Sequence, residues 1–198
     1  MKPFYAADLF LRKQFGDASG SVYEARKYVY LAIALFFAGT VIGLLFADRF
    51  DPLLDSFKVI AKRFRGRSAA ESVLMIFFQN ISAVVLSVLL GVFWGLVPLV
   101  ASIMNGILAG VVISFGMKSD LMTFLWKLLP HGVFELPAVF LSWGLGIWLG
   151  AWAFRHDRHE ALCERVKRAF QVIFVFVLPL LMIAAVIEGL GIAALAKR

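Results

Sequence analysis

Residues 130–138 read Pro-His-Gly-Val-Phe-Glu-Leu-Pro-Ala, so His131 and Glu135 stand between Pro130 and Pro137 in a chain otherwise built of membrane-length apolar segments. Ionisable side chains at membrane depth are expensive and face protein, water or a partner. Four residues apart, the imidazole and the carboxylate share one face of a continuous helix, close enough to pair. Such a pair can relay a proton, hold a small ligand or lock neighbouring helices together. Asn80, Asn105 and Glu188 also interrupt apolar runs, and with His131 and Glu135 they make a candidate polar centre. Pro130, Gly132, Pro137 and Gly106 are the structural positions expected to shape it.

Other chemistry has little to build on. The His-Glu-x-x-His order of a zinc protease and the Gly-x-Ser-x-Gly elbow of a serine hydrolase are both missing. His156, Asp157, His159 and Glu160 are metal-compatible types, but Arg155 and Arg158 among them make the run a solvated juxtamembrane charge cluster. Cys163 is the sole cysteine, which excludes an intramolecular disulfide and a cysteine metal cage. No metal, no cofactor and no enzymatic activity are expected.

The elements that must position these residues follow from hydropathy. The 198 residues are 62% hydrophobic and 17% charged, with a mean hydropathy of +0.87, more apolar than an ordinary globular domain. Ser72 to Met117 holds 46 residues without Asp, Glu, Lys or Arg, roughly 69 Å as helix and about twice the hydrocarbon thickness. The run must fold back, and Gly95-Leu96-Val97-Pro98 is the natural hinge. The fold class is therefore all-α, a polytopic transmembrane bundle in a single domain over 1–198, with 1–27 as a juxtamembrane segment. Five spans are expected near 28–47, 73–96, 98–116, 133–154 and 169–195. The nine-residue segment Leu121–Leu129 spans roughly half the membrane and is expected to form a re-entrant half-helix meeting its successor at Pro130.

The connection 48–72 interleaves Phe50, Leu53, Leu54, Phe57, Ile60 and Phe64 with Lys58, Lys62, Arg63, Arg65 and Arg67, the pattern of an amphipathic helix on a membrane surface. Phe4 to Phe15 is a shorter candidate of the same kind. The first apolar run begins only after 27 residues, without a small-residue cleavage pattern, so the first span is expected to remain as an anchor. A net charge of +7 comes from 20 Lys and Arg residues that flank spans, which points to lipid headgroups rather than nucleic acid. Five simple crossings divide those cations equally. A half-helix that dips and returns instead puts 48–72, 117–127 and 155–168 on one side with 13 of the 20, and this arrangement, with those connections cytoplasmic, is the one expected.

Gly39/Gly43, Gly91/Gly95, Gly106/Gly110 and Gly146/Gly150 are four Gly-x-x-x-Gly pairs in the spans. They imply close helix crossings, within one chain or between copies. Trp94, Trp143, Trp148 and Trp152 read as residues at span ends or facing lipid, and Pro179 as a kink in the last helix.

The ordered set Gln79-Asn80 in the second span, Asn105-Gly106 in the third, the 130–138 segment, and Ile187-Glu188-Gly189 closing the last resembles the stage II sporulation protein M family of bacterial and archaeal membrane proteins. The resemblance runs from about Tyr28 to Gly189, and His131-Gly132-Val133-Phe134-Glu135 is its most specific part. Gln79 departs from the second asparagine common at that place. The resemblance implies a membrane scaffold for a complex such as the peptidoglycan-remodelling assembly of engulfment, although relatives occur in organisms that do not sporulate. The expected role is a scaffold or assembly subunit in the cytoplasmic (inner) membrane of a prokaryote. Its expected partners are membrane lipids, other proteins and further copies of itself. The alternative is a transporter of a proton, ion, lipid or small substrate through the His131/Glu135 centre.

Overall fold

The computed structural model describes residues 2–50, 68–118, 121–154 and 158–196, with side chains placed over 8–49, 68–117, 132–154 and 162–192. All described elements are helical: α1 (Lys2–Leu45), α2 (Ala69–Leu90), α3 (Leu96–Lys118), α4 (Leu121–Gly150), α5 (Arg158–Val172) and α6 (Leu178–Ala196), with a π turn, Ile173–Val177, joining the last two. Among the described residues, five stretches are long and apolar enough to cross a membrane: Asp8–Leu45, Ala69–Leu90, Leu96–Met117, Gly132–Phe154 and Leu162–Ile192. The expected span count therefore holds. The amphipathic helix expected over 48–72 falls mostly outside the described residues.

Local sequence sets several of these boundaries. α2 starts at a capping box: the Glu71 amide donates to Ser68 Oγ at 3.2 Å and the Ser68 amide donates to Glu71 Oε2 at 2.8 Å. Such a cap contributes about 1 kcal/mol and begins the helix before its first apolar turn. The hinge between α2 and α3 lies where expected. Trp94 and Gly95 adopt φ of 55° and 72°, a left-handed pair in which glycine is free of strain, and the Trp152 indole N–H donates to the Val92 carbonyl at 2.9 Å, tying the turn to the end of α4. Pro179 lacks an N–H, so the Val175 carbonyl loses its ordinary helical donor. Just before it the helix widens, and the Leu178 amide bonds five residues back to Ile173.

The break expected at Pro130 is not there. Residues 121–150 form one helix, about 45 Å long. Pro130 and Pro137 each delete one backbone bond, a loss a membrane bundle absorbs through the bonds on either side and through neighbouring helices. Leu121–Leu129 is thus the first part of α4 rather than a separate half-helix.

Continuity of α4 also corrects the expected arrangement of connections. Gly91 packs on Gly146, and Gly150 on Trp94 and Gly95, so α2 and α4 end together at the hinge. Val29 meets Gly144 and Arg168 meets Ser21 and Glu24, which brings α5 and the start of the first span to that same end. At the opposite end Gly189 packs on Val73, and Gly43 lies against Ile107 and Val111 toward the end of α3. The described part of α5 up to Arg168 therefore shares an end with the start of the first span and the hinge, opposite the ends of α1 and α3 and the start of α2. With five crossings the sequence tally of Lys and Arg over the connecting segments is even, so the cation bias is silent about orientation.

All four glycine pairs are used within the chain. A Cβ on Gly39 or Gly43 would meet the backbone of Ile103 or Ile107 within 3.0 Å, and one on Gly106 or Gly110 the backbone of Phe36 or Thr40. α1 and α3 thus interlock reciprocally. Gly91 and Gly95 engage Gly146, Ile147 and Gly150 in the same way. α4 is the central helix, and Ser142 to Gly150 is buried throughout. Trp143 and Trp148 are accordingly 6% and 3% exposed, core residues rather than lipid-facing anchors, because the glycines around them draw neighbouring helices over their rings.

Candidate functional site

α2 and α4 run in the same direction with Gly91 on Gly146. Asn80 and Glu135 each lie eleven residues before their glycine, so the two stand at about one height on adjacent helices. Both are half-buried, and the Glu135 carboxylate is not free of partners. His131 lies one turn earlier in α4, outside the described side chains. Glu188, also half-buried and partnered, adjoins Gly189, which packs on Val73. That places it seven residues, about 10 Å, from the level of Asn80 toward the end opposite the hinge. Asn105 does not join this group. It is exposed on α3, and its amide donates to the Ala101 carbonyl of its own helix at 2.8 Å.

The structural positions divide similarly. Gly106 is an obligate close contact with Phe36, whereas a Cβ on Gly132 would have nothing within 4 Å. The metal-compatible residues His156, Asp157, His159 and Glu160 lie outside the described side chains. The arrangement over the described residues is a polar level of two half-buried side chains on adjacent, otherwise apolar helices.

A second polar assembly was not singled out from the sequence. Arg165, Arg168 and Gln171 recur at helical spacing on α5 and face the bundle. Arg168 Nε donates to Ser21 Oγ at 3.0 Å and its terminal nitrogen meets Glu24 Oε1 at 2.7 Å. Both guanidinium groups lie over the Trp148 ring, at 4.9 and 5.4 Å, and Arg165 donates to the Trp148 carbonyl. Gln171 Nε2 donates to Gln14 Oε1 at 2.7 Å. The three-residue spacing was the available signal, but the cations had a ready reading as span flanks.

These bonds fix the path of the N-terminal part of α1. Glu24 and Ser21 meet Arg168, while Gln14 meets Gln171 and Phe15 packs edge-on against Phe176 at 4.9 Å. Lower numbers on α1 thus meet higher numbers on α5 and the π turn, and residues 8–24 cross them as an arm. Between arm, α2 and π turn lies a cleft of about 1150 Å³. Its walls include Phe10, Phe15, Ile81, Val85 and Phe174, and Lys13, Asp17 and Lys167 stand among the lining residues.

Residues 32–191 match the model of a protein family described as stage II sporulation protein M. No curated protein matches the chain, nor does any solved structure.

Proposed function

This chain belongs to the stage II sporulation protein M family, and from that membership and the packing of its helices we propose that it is a non-enzymatic scaffold or assembly subunit of a membrane complex. In this reading it crosses the cytoplasmic membrane of a prokaryote five times. The observation that carries it is the closure of the bundle: all four glycine pairs are consumed in backbone-to-backbone crossings inside one chain. Such interlocking favours a rigid frame over helices that rock past one another. Asn105 on the outer face and Glu188 about two turns from Asn80 argue in the same direction, since they do not line up as a path for a substrate. In this reading the level shared by Asn80 and Glu135 serves the packing of α2 on α4 rather than the passage of a substrate.

Five crossings make a side-specific prediction. An impermeant maleimide is expected to reach Cys163 and a Phe93→Cys site, each as the sole cysteine, from one side of the membrane, and an Arg49→Cys site from the other. Labelling of Cys163 together with Arg49→Cys would overturn the crossing number.

The role is tested by purifying the protein from native membranes in nanodiscs and identifying copurifying molecules for wild type and Glu135→Gln. A stoichiometric protein partner retained by both is the expected result. A lone particle carrying a small molecule that Glu135→Gln loses, while remaining folded, would instead make the polar level a transport site.

A further inference from the structure

The cleft under the α1 arm has the shape and charge of a site for one phospholipid. Its walls are apolar: Ile81 and Val85 come from the middle of α2, Phe174 from the π turn, and Phe10 and Phe15 from the arm. A convex apolar surface in a bilayer exchanges its lipids freely. A trough walled on three sides holds an acyl chain against many more atoms, each contact small and the sum large. The volume, about 1150 Å³, is of the order of a lipid-sized ligand site.

Two features explain why the trough exists. The arm crosses α5 and the π turn instead of packing along them, so its large residues stand away from α2 while Ala18 and Ala25 make the close contacts in the core. The π turn supplies Ile173, Phe174 and Val175 to the lining. Its widened backbone changes the rotation at which side chains leave the helix, and such turns recur at functional sites.

The charged lining residues give the headgroup. Lys13 neighbours Gln14, and Lys167 lies one turn before Gln171, so the two lysines flank the Gln14–Gln171 bond that joins arm to bundle. Among the described residues neither lysine makes an ion pair. Arg168, one position on, is committed to Glu24 and Ser21. Asp17 follows Lys13 by one helical turn and lines the same cleft, and its carboxylate likewise has no ion pair among the described residues. Two ammonium groups suit a phosphodiester, and the nearby carboxylate suits a primary amine carried beyond it.

We propose that this cleft binds one phosphatidylethanolamine-type lipid, with its acyl chain along Ile81, Val85 and Phe174, its phosphate at Lys13 and Lys167, and its ammonium at Asp17. The bound lipid cements the arm to the bundle. The inference rests on the membrane placement proposed above but not on a scaffold role, and a lipid that binds without any protein partner would separate the two.

The test is native mass spectrometry of the intact protein released from nanodiscs containing equal phosphatidylethanolamine and phosphatidylglycerol. Wild type is expected to retain one ethanolamine lipid in preference to the glycerol lipid. The exposed pair Lys13→Ala, Lys167→Ala is expected to retain it at least about tenfold less, because two charge-assisted contacts are gone, with an unchanged thermal midpoint in detergent. Asp17→Asn should remove the preference while keeping retention of the glycerol lipid. Val85→Trp should block retention of both lipids with the lysines intact. Equal retention by the double lysine variant, equal retention by Val85→Trp, or a wild type that holds the glycerol lipid as well as the ethanolamine lipid would each overturn the proposal.

Discussion

Gly106→Ala is expected to destabilise the bundle by about 1–3 kcal/mol, the usual range for forcing extra volume into a packed core, while Gly132→Ala is neutral or stabilising by about 0.5–1 kcal/mol. Both are glycines in helices, both replacements add one methyl group, and both belong to the segments that carry the family resemblance. The difference is what lies opposite. A methyl on Gly106 would enter the space of the Phe36 carbonyl and Cα, whereas on Gly132 it would meet nothing within 4 Å. A flexible side chain could give way by rotating, but Phe36 presents its backbone, so relief requires α1 and α3 to separate. Separation would also loosen the reciprocal contacts of Gly39, Gly43 and Gly110. The effect should therefore spread along the crossing, and Gly106→Leu should prevent accumulation of a monodisperse protein. Thermal unfolding in a fixed detergent reads the contrast. Equal midpoints for the two alanine variants would show that the α1–α3 crossing is not this tight.

Arg168→Ala is expected to release the N-terminal arm while leaving the spans intact. The guanidinium binds Ser21 and Glu24 on the arm and lies over Trp148 on α4, so one side chain joins three helices. The Glu24 carboxylate is 52% exposed, which limits that pair to under about 1 kcal/mol. The bond to Ser21 and the stacking on Trp148 raise the total to about 2–3 kcal/mol. Amide exchange over residues 8–24 should then quicken by more than about tenfold, with exchange in α2 and α4 unaffected. Arg168→Lys should fall between the two, since a single ammonium cannot reproduce the planar fork that reaches Ser21 and Glu24 together. Unchanged exchange in the alanine variant would mean that Phe15 on Phe176 and Gln14 on Gln171 suffice to hold the arm.

Much of the architecture was legible because its causes are local. Charge-free length marks the spans, and Gly95 and Pro98 mark the hinge. The re-entrant reading of Leu121–Leu129 failed where a local rule met tertiary support. Proline weakens an isolated helix, but in a bundle the bonds around Pro130 continue the helix, and that one continuity moves α5 to the other end of the molecule. Trp94 stands exposed at the hinge as expected, but the reading of Trp143 and Trp148 failed for a related reason. Amphipathic rings settle at interfaces unless glycines beside them admit a neighbouring helix, as they do around Trp143 and Trp148.

The candidate site was legible as a list of residues rather than as a place. Polar residues inside apolar runs announce themselves, so Asn80, Asn105, Glu135 and Glu188 could be named from sequence. Which of them share a level depends on the direction and offset of whole helices, and which face inward depends on rotation. Hydropathy is nearly blind to both. The Arg168 assembly joins residues 147 positions apart, a separation at which no spacing rule operates.

The sequence by itself determined the membrane class, the number of spans, the glycines at which helices can approach, and the family, because each rests on composition or on residues a few positions apart. Only the tertiary structure decided that the four glycine pairs close on one another within one chain, that α4 runs unbroken, that Asn80 and Glu135 stand level while Asn105 faces outward, and that the arm crosses α5 beside a lipid-sized cleft. Those outcomes depend on which helix faces fit backbone to backbone, a property that belongs to pairs of distant segments and exists only once they are packed.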